Sequence, residues 1–280
     1  MTPSGPPLRS SLNPWVALAL LWTLAPLLWQ LHTSLLAPEA LINPSGFSQK
    51  AGWTLANYRQ VLSADPPFWL ALVNSAVVAS GTTLLTLGLA LPCAYGLHRQ
   101  GGPLRSLLNL TLLAATLFPT VLLFLALLEI ARGWHLANNL LALCLPYAGL
   151  SLPLAILLLR AAFDALPAEL EDAARLEGLG FMQRLRHILV PLLGPTIAST
   201  AILVFLFSWN EYPIALTWLS RTELLTLPVA IARLAGSSVF VIPYGPFAAA
   251  TVLGSLPLLA LVLLFQRSIV SGLTQGAVKG

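Results

Sequence analysis

The sequence predicts an all-α integral membrane protein with six transmembrane helices. Of its 280 residues, 57% are hydrophobic and only 9% are charged, whereas soluble domains carry about a quarter charged residues. The apolar residues fall into long runs with few charges, and roughly 20 such residues in a helix cross a bilayer core of about 30 Å. We therefore expect residues 1–280 to form a single transmembrane domain.

Six runs have the length of a membrane span. They lie near residues 14–36, 70–97, 107–130, 138–159, 196–218 and 247–266. The first run follows Arg9, as the apolar part of a signal peptide would. It is longer than the usual stretch of about 7–15 residues, however, and it lacks a convincing small-residue cleavage site. We therefore count it as a span.

The distribution of basic residues predicts the orientation of the chain. If the N-terminus is cytoplasmic, the inner segments hold nine of the 14 Lys and Arg residues and the outer segments hold five. Cytoplasmic loops carry such an excess, so both termini and the loop 160–195 are predicted to be cytoplasmic. Two outer segments, 37–69 and 219–246, are long enough to have structure of their own. The second contains LLTLPVAIARL, which suits a short amphipathic helix, a re-entrant turn or a packed loop.

The predicted cytoplasmic loop holds five of the ten acidic residues of the chain. Pro167 suits the first position of a helix, and Glu169 and Glu171 then lie in its first turns, where the helix dipole favours negative charge. Gly178 can adopt the left-handed backbone conformation that ends a helix. A second helix, ending near Pro191, is predicted from apolar residues that recur at i, i+4, i+7 and i+8. These residues are Phe181, Leu185, Ile188 and Leu189.

The residues alone leave two interpretations of this helix–turn–helix open. On the first helix Ala173, Ala174 and Glu177 share a side, and the alanines are small enough to admit the surface of a partner closely. The other interpretation is a solvated amphipathic hairpin whose charges keep it at the membrane surface.

The spacing of the hairpin residues resembles the EAA loop of ABC-importer permeases. The pattern of that loop is Glu-Ala-Ala, three residues, Gly, and downstream Ile-x-Leu-Pro. This chain has DAARLEG followed by ILVP. Asp172 replaces the glutamate and Val190 replaces the leucine, and both replacements are conservative. The positions that match the pattern are Asp172, Ala173, Ala174, Gly178, Ile188 and Pro191.

Further segments extend the resemblance over nearly the whole chain. In chain order they are NYRQVL at 57, NS at 74, AYGL at 94, FPTV at 118, WNEY at 209, SLP at 255 and the tail GAVKG. Their order is similar to that of the smaller permease subunit of maltose-type, binding-protein-dependent carbohydrate importers. The resemblance implies the type I ABC-importer permease fold and a place in a bacterial-type inner membrane.

The resemblance also implies partners. The hairpin would dock into a groove on a cytoplasmic ABC ATPase and transmit nucleotide-driven closure to the spans. A second homologous permease subunit, two copies of the ATPase and an extracytoplasmic sugar-binding protein would complete the importer. The ATPase subunits would use ATP and Mg, and this chain would bind no cofactor of its own. The implied ATPase-coupling residues are Glu171, Asp172, Ala173, Ala174, Glu177 and Gly178.

A second candidate site lies in the sequence WNEY of the fifth predicted span. Glu211 is one of few ionisable residues in the predicted spans, where charge is costly and is retained for function. Trp209, Asn210 and Tyr212 surround it with groups that stack on or hydrogen-bond a sugar, so these four residues are candidates for a substrate pathway or gate. A gating or structural role, with Pro213 loosening the helix, is favoured over direct sugar binding. In the family that the chain resembles, the transmembrane sugar site lies mainly on the companion permease subunit.

The C-terminal sequence GLTQGAVKG would by itself suit a frayed terminus. The resemblance implies instead a segment inserted between the two ATPase subunits, with Gly276 and Lys279 as contacts.

Other function classes are disfavoured by what the sequence lacks. Neither Lys50 nor Lys279 lies in the G-x-x-x-x-G-K-[ST] motif that holds nucleotide phosphates. No block of basic residues suits nucleic acid, and Cys93, Cys144 and four scattered histidines lack the spacing of metal ligands. A membrane-embedded enzyme would need a convergent set of nucleophile, base or metal ligands, and none is apparent. The same permease fold importing a polyamine, an amino acid or another small solute stays open.

Overall fold

The computed structural model describes residues 13–37, 52–235 and 243–275, a helical structure with one isolated antiparallel bridge between Leu36 and Trp53. The helices of the first half are α1 (Pro14–Leu35), α2 (Ala56–Leu62), α3 (Phe68–His98), α4 (Gly102–Thr116), α5 (Phe124–Gly133) and α6 (Cys144–Asp164). The remaining helices are α7 (Ala168–Leu176), α8 (Phe181–Leu192), α9 (Gly194–Asn210), α10 (Pro213–Trp218), α11 (Leu227–Ala235) and α12 (Tyr244–Gln275). The middle of α8, Leu185–Leu189, is π-helical. Short 3-10 turns lie at Thr120–Leu123, Leu141–Leu143 and Thr222–Leu224.

Four helical segments among the described residues are long and apolar enough to cross a membrane. They coincide with the first, second, fourth and sixth predicted spans: Pro14–Leu35, Phe68–His98, Leu141–Asp164 and Tyr244–Gln266. Two helix pairs also pass this test together but are bent: Gly102–Thr116 with Thr120–Gly133 by 83°, and Phe181–Leu192 with Gly194–Asn210 by 85°. The described residues therefore hold four candidate spans, or up to six if each bent pair is one span.

The structure corrects the predicted third span, 107–130, which is not one continuous helix. Helix α4 ends at Thr116, and Pro119 precedes the 3-10 turn that leads into α5. Proline lacks the amide hydrogen that a helix needs, and its ring clashes with the carbonyl four residues earlier. The chain bends at this point for that reason.

The predicted fifth span, 196–218, is interrupted as well. Helix α9 ends at Asn210, Glu211 has an extended backbone, and α10 begins at Pro213. In a continuous helix the ring of Pro213 would clash with the carbonyl of Trp209. The loosening expected of Pro213 is therefore a complete break between two helices.

The loop 160–195 contains a helix, a turn and a second helix, in agreement with the sequence pattern. Helix α7 begins at Ala168, so Pro167 precedes the helix instead of occupying its first position. Helix α8 ends at Leu192, just after Pro191. In the segment 219–246, α11 occupies most of LLTLPVAIARL, which selects the short helix among the three interpretations left open by the sequence.

Internal contacts divide the chain into two units, Met1–Val61 with Leu234–Leu253 and Leu62–Arg233 with Gly254–Gly280. In the first unit, Asn57 of the NYRQVL segment is fully buried, and its Nδ2 donates to the carbonyls of Ser34 and Leu36 at 2.9 and 2.8 Å. Tyr58 Oη lies 2.7 Å from Ser34 Oγ. These bonds fasten α2 to the end of α1.

Two apolar clusters form the core of the second unit. One packs α3, α6, α8 and α9 around Tyr95 and Phe163, and it includes buried residues of the hairpin helix α8. The other packs α3, α5, α6, α10 and α11 around Tyr147 and Trp218. Helices α3 and α6 approach closely at Gly81, where a Cβ would lie only 2.8 Å from the sulfur of Cys144. The absence of a side chain on Gly81 permits this approach. The first cluster contains Tyr95, which contacts the hairpin, and the second contains Tyr147, which contacts Glu211 at the break between α9 and α10.

Candidate functional site

The hairpin formed by α7 and α8 has an inner face and an outer face. On α7 the inner face carries Ala174, which is buried, and Glu171, whose side chain is only 12% exposed. The other four predicted coupling residues are exposed: Asp172, Ala173, Glu177 and Gly178. The six residues that the resemblance groups as one coupling surface therefore lie on two different faces.

The outer face also carries apolar side chains outside the predicted set of coupling residues. Leu176 is 90% exposed, and Leu170 and Met182 are exposed to 39% and 58%. The carboxylates of Asp172 and Glu177 are exposed on the same hairpin. Exposed apolar side chains with polar neighbours are typical of a surface that another protein covers.

Glu171 is the centre of an ion-pair cluster on the inner face. Its Oε1 accepts hydrogen bonds from Tyr95 Oη on α3 and from Arg175 Nη2 on α7, both at 2.8 Å. Arg99 Nε and Arg184 Nε approach the same oxygen at 3.4 and 3.9 Å. The carboxylate of this predicted coupling residue is thus engaged within the chain.

The cluster also determines the charge state of Glu171. Burial favours the neutral carboxyl group, but the hydrogen bonds from Arg175 and Tyr95 and the charges of Arg175 and Arg99 outweigh it. The pKa of Glu171 therefore lies below its ordinary value. The hydrogen bond to Glu171 in turn raises the pKa of Arg175. The hairpin is consequently held to α3 by a charge-assisted contact at neutral pH.

Three basic side chains surround Asp164 at the end of α6. His98 Nδ1 lies 2.6 Å from Asp164 Oδ1, and Arg105 Nη2 and Arg160 Nη2 lie 2.7 and 3.0 Å from Oδ2. His98 Nε2 is also 3.9 Å from Glu171 Oε2. The His98 ring therefore lies between two carboxylates and connects the hairpin cluster with the ends of α3 and α6.

Gly178 forms the turn between the two hairpin helices. Its φ of +79° is in the left-handed region, which glycine adopts without the cost that a Cβ imposes. Gly178 N donates to Arg175 O at 2.9 Å, and Leu179 N donates to Ala174 O at 3.1 Å, so carbonyls at the end of α7 are paired. A Cβ at this position would meet no atom within 4 Å. The requirement for glycine is therefore conformational, as the sequence pattern predicted.

The second candidate site is the break between α9 and α10. Glu211 Oε1 accepts a hydrogen bond from Ile214 N at 2.9 Å, and Oε2 accepts from Ala215 N at 3.1 Å and from Tyr147 Oη at 2.5 Å. The carboxylate thereby caps the first turn of α10, as side chains at helix N-termini do, and ties it to α6. All three of these donors are uncharged groups.

A cavity of about 290 Å³ lies at this break. Both helix breaks contribute to its wall: the first through Thr120, Val121 and Phe124, the second through Asn210, Glu211 and Tyr212. Trp209 is 3% exposed and stacks on Phe205 with 5.6 Å between ring centroids. Of the four residues predicted for a substrate pathway or gate, three therefore line the cavity, whereas Trp209 packs elsewhere.

Sequence reasoning missed the role of Asn138, which fixes the segment after α10. Asn138 has a φ of +58°, a left-handed conformation that asparagine tolerates better than most residues. Its Oδ1 accepts hydrogen bonds from Ser220 N at 2.7 Å and from Arg221 N at 3.1 Å. Its backbone N donates to Trp218 O at 2.9 Å. One side chain thus holds the backbone that leaves the break.

The NS pair at the start of α3 holds the same segment further along. Asn74 Nδ2 donates to the carbonyls of Glu223 and Leu225 at 2.9 and 3.0 Å, and Ser75 Oγ accepts from Leu227 N at 2.7 Å. The sequence contained a signal for this contact, because NS is one of the segments that carry the family resemblance. Its partners are about 150 residues away, and neighbouring residues could not reveal them.

Two further expectations concern the tail and metal binding. The predicted tail contacts Gly276 and Lys279 lie outside the described residues. Within the described ranges, no group of three or more His, Cys, Asp and Glu side chains is arranged to hold a metal ion.

The comparison with known proteins identifies the family. Residues 85–275 match the family described as binding-protein-dependent transport system inner membrane component. The chain belongs to this family. The resemblance to carbohydrate ABC-importer permeases is thereby confirmed, and the chain is a transport permease and not a membrane-embedded enzyme.

Individual relatives of this inner membrane component support the same conclusion. The sulfoquinovosyl glycerol transport system permease protein SmoH of Agrobacterium fabrum is 39% identical over 99% of this chain and 95% of its own length. The trehalose transport system permease protein SugB of Mycobacterium tuberculosis is also 39% identical, over 92% and 93% of the two chains. A solved bacterial ABC transporter involved in the import of the acidic polysaccharide alginate has a chain of the same fold. The two structures superpose over 95% of this chain and 99% of the solved chain, with a TM-score of 0.76 at 20% sequence identity.

Proposed function

We propose that this permease is one of two membrane subunits of an ATP-driven sugar importer, and that the outer face of its hairpin docks on a cytoplasmic ABC ATPase. The division of the hairpin into two faces carries the proposal. The inner face is fastened to α3 through Glu171, whereas the outer face exposes Leu176 together with Asp172 and Glu177. A docking surface mounted on a long membrane helix would pass the motion of an ATPase to the membrane domain.

The importer would also contain a second homologous permease, two copies of the ATPase and an extracytoplasmic sugar-binding protein. ATP and Mg would bind to the ATPases, because this chain has no G-x-x-x-x-G-K-[ST] motif. The second permease would complete the translocation pathway.

The importer would lie in a bacterial inner membrane, with both ends of this chain in the cytoplasm. Six spans would cross the membrane: the four long helical segments, the bent pair of α4 and α5 counted as one, and α9 continued by α10, while α8 belongs to the hairpin. The excess of Lys and Arg on the inner segments supports this orientation. The hairpin would then be cytoplasmic, and the segment held by Asn138, Asn74 and Ser75 would face the sugar-binding protein on the outer side.

A sugar is favoured over a polyamine or an amino acid. The two relatives above are named for the transport of sulfoquinovosyl glycerol and trehalose. In the cavity, Thr120, Asn210 and Tyr212 supply uncharged polar groups, while Glu211 is engaged by Tyr147 and by the amides of α10. A polyamine would need a free carboxylate, and an amino acid would in addition need a cation for its own carboxylate. The uncharged polar groups of the wall favour a hydroxyl-rich solute.

Glu211 would hold the gate at the helix break and would not itself bind the sugar. Its carboxylate oxygens already accept three hydrogen bonds within the chain. Glu211→Ala is therefore expected to lower the uptake of every transported sugar by a similar factor. A change in the preference among sugars would instead support direct binding.

The C-terminal tail would contact the ATPase subunits through Gly276 and Lys279. Deletion of residues 276–280 is expected to reduce the number of sugar molecules taken up per ATP hydrolysed. Normal coupling after this deletion would refute the proposed tail contact.

Purification of the chain from its native membrane tests the proposal as a whole. The chain is extracted in mild detergent, and the proteins that accompany it are identified by mass spectrometry. We expect an ATPase with Walker motifs and a second multi-span permease. Recovery of the chain alone, even after crosslinking in the membrane, would contradict the importer.

A substitution in the hairpin turn tests the coupling role separately. Gly178→Leu is expected to insert into the membrane normally but to abolish transport, because leucine is strained at a φ of +79°. Gly180→Leu is the matched control, since Gly180 has an ordinary φ of −67° and lies in the same turn. Unchanged uptake by Gly178→Leu would refute the coupling role of the hairpin.

A further inference from the structure

Tyr95 lies where α3, α6 and α8 meet. Its side chain is fully buried. The centroid of its ring is 4.5 Å from that of Phe181 on α8 and 5.5 Å from that of Phe163 on α6. The ring is therefore packed against a hairpin helix and against a second long membrane helix.

The hydroxyl group of Tyr95 joins both hairpin helices. It donates to Glu171 Oε1 on α7 at 2.8 Å and accepts a hydrogen bond from Arg184 Nε on α8 at 3.3 Å. Arg184 is 9% exposed, and its Nη1 donates to the turn carbonyl of Leu179 at 3.0 Å. A single oxygen atom of α3 is thus bonded to α7 and α8 directly, and to the turn through Arg184.

The other contacts between α3 and Glu171 are weaker. Arg99 approaches the carboxylate at 3.4 Å and His98 at 3.9 Å, and the side chain of Arg99 is 34% exposed. A partly exposed arginine is long, flexible and screened by salt. Tyr95 has a buried ring with only two side-chain torsions, so its hydroxyl occupies a well-defined position.

We infer that Tyr95 is a positioning residue that makes the hairpin and α3 move as one body when the ATPase displaces the hairpin. This inference rests on the proposed function and adds the residue through which the displacement enters the membrane domain. Without the hydroxyl group, the aromatic packing would stay, but α7 and α8 would each lose their hydrogen bond to α3. The hairpin would then follow the ATPase while α3 lags behind.

The inference is tested by the distance between the hairpin and α3 in the assembled importer. Spin labels are attached at two exposed positions, Arg186→Cys on α8 and Leu89→Cys on α3, and the exposed Cys93 is replaced by alanine. The distribution of distances between the labels is measured by pulsed electron paramagnetic resonance, with and without MgATP and vanadate. With Tyr95 present, we expect one narrow distribution that nucleotide does not change. In Tyr95→Phe, a second and longer distance is expected with nucleotide, its population raised about tenfold, as the loss of a hydrogen bond to a charged group implies.

Two further variants separate the hydroxyl group from the ring and from general effects. Tyr58→Phe removes a phenol that pairs with Ser34 at 2.7 Å, and it should leave the distance unchanged. Glu171→Gln combined with Tyr95→Phe should raise the population of the longer distance by less than the product of the two single-variant effects, because both changes weaken the hydrogen bond between Tyr95 and Glu171.

Each outcome distinguishes the inference from the proposed function. A wild-type preparation without an associated ATPase would overturn the proposed function, and the inference with it. A wild-type importer whose hairpin-to-α3 distance changes with nucleotide would overturn the inference alone. A Tyr95→Phe distribution identical to that of the wild type would also overturn it, since the ring would then suffice.

Discussion

Glu171 in the hairpin and Glu211 at the helix break have one partner of the same kind. Each carboxylate accepts a hydrogen bond from a buried tyrosine of a long helix, Tyr95 on α3 and Tyr147 on α6. Their other partners differ, because guanidinium groups surround Glu171 whereas two backbone amides of α10 bind Glu211.

This difference indicates what each site can do. The guanidinium groups reinforce the hydrogen bond from Tyr95 to Glu171 through their charge, and their partly exposed ion pairs are weakened by salt. Backbone amides are fixed by the helix that carries them, so they stabilise one local conformation. Glu171 therefore suits a contact that persists while the hairpin is pushed, and Glu211 suits a break that must keep its shape.

The largest effect is expected for Glu211→Gln. Glutamine offers only one acceptor oxygen, so in either orientation of the amide its amino group faces a backbone donor of α10 and leaves a part-buried donor unpaired. Such a loss costs about 1–3 kcal/mol. The measurement is the thermal unfolding midpoint of the purified protein in detergent at neutral pH.

Tyr147→Phe is the matched comparison, because it removes one donor and leaves both amide bonds of Glu211 in place. It should lower the midpoint less than Glu211→Gln does. Equal midpoints for Glu211→Gln and the wild type would show that the capped carboxylate does not hold the break.

A smaller effect is expected for Glu171→Gln. The glutamine oxygen can still accept from Tyr95 and Arg175, so mainly the charge is lost, at a cost below about 1 kcal/mol. Because the lost charge accounts for the effect, raising the salt concentration to about 0.5 M should reduce the difference in unfolding midpoint between Glu171→Gln and the wild type. The midpoint difference between Glu211→Gln and the wild type should not change with salt. Equal salt sensitivity of the two differences would contradict the distinction drawn between the two sites.

The smallest effect concerns pH and the hairpin cluster. The folded protein lowers the pKa of Glu171, so its contribution to stability is complete above the ordinary glutamate pKa of about 4.3 and is lost as the pH falls through the lower folded value. The midpoint difference between the wild type and Glu171→Gln should therefore stay constant from pH 8 to about pH 5 and shrink only below that. A difference that disappears between pH 7 and pH 5 would show that the guanidinium groups do not hold the carboxylate ionised.

The local features of both sites were predictable from the sequence. The hairpin follows from the acidic first turn, the position of Gly178 and the apolar repeat of the second helix. The break at Glu211 follows in part from Pro213, whose ring is incompatible with a continuous helix. These features depend on neighbouring residues, and a sequence contains that information directly.

The partners across the fold were not predictable in the same way. Helix α7 has only nine residues, so its pattern does not specify which side faces the protein, and Glu171 was grouped with exposed residues. Its partner Tyr95 lies 76 positions away. Trp209 is next to the cavity residues in sequence, but the packing of α9 directs it onto Phe205. Long-range packing decides such contacts, and no local pattern encodes it.

Photo-crosslinking from the outer face of the hairpin tests the central claim most directly. A benzophenone amino acid replaces Leu176, which is 90% exposed on α7, and in a control it replaces Leu107, which is 61% exposed on α4. After irradiation of native membranes, we predict a crosslink from position 176 to an ABC ATPase and none to that protein from position 107. Absence of an ATPase crosslink from position 176, or equal crosslinking from both positions, would contradict the claim that this hairpin is the ATPase-docking surface of the permease.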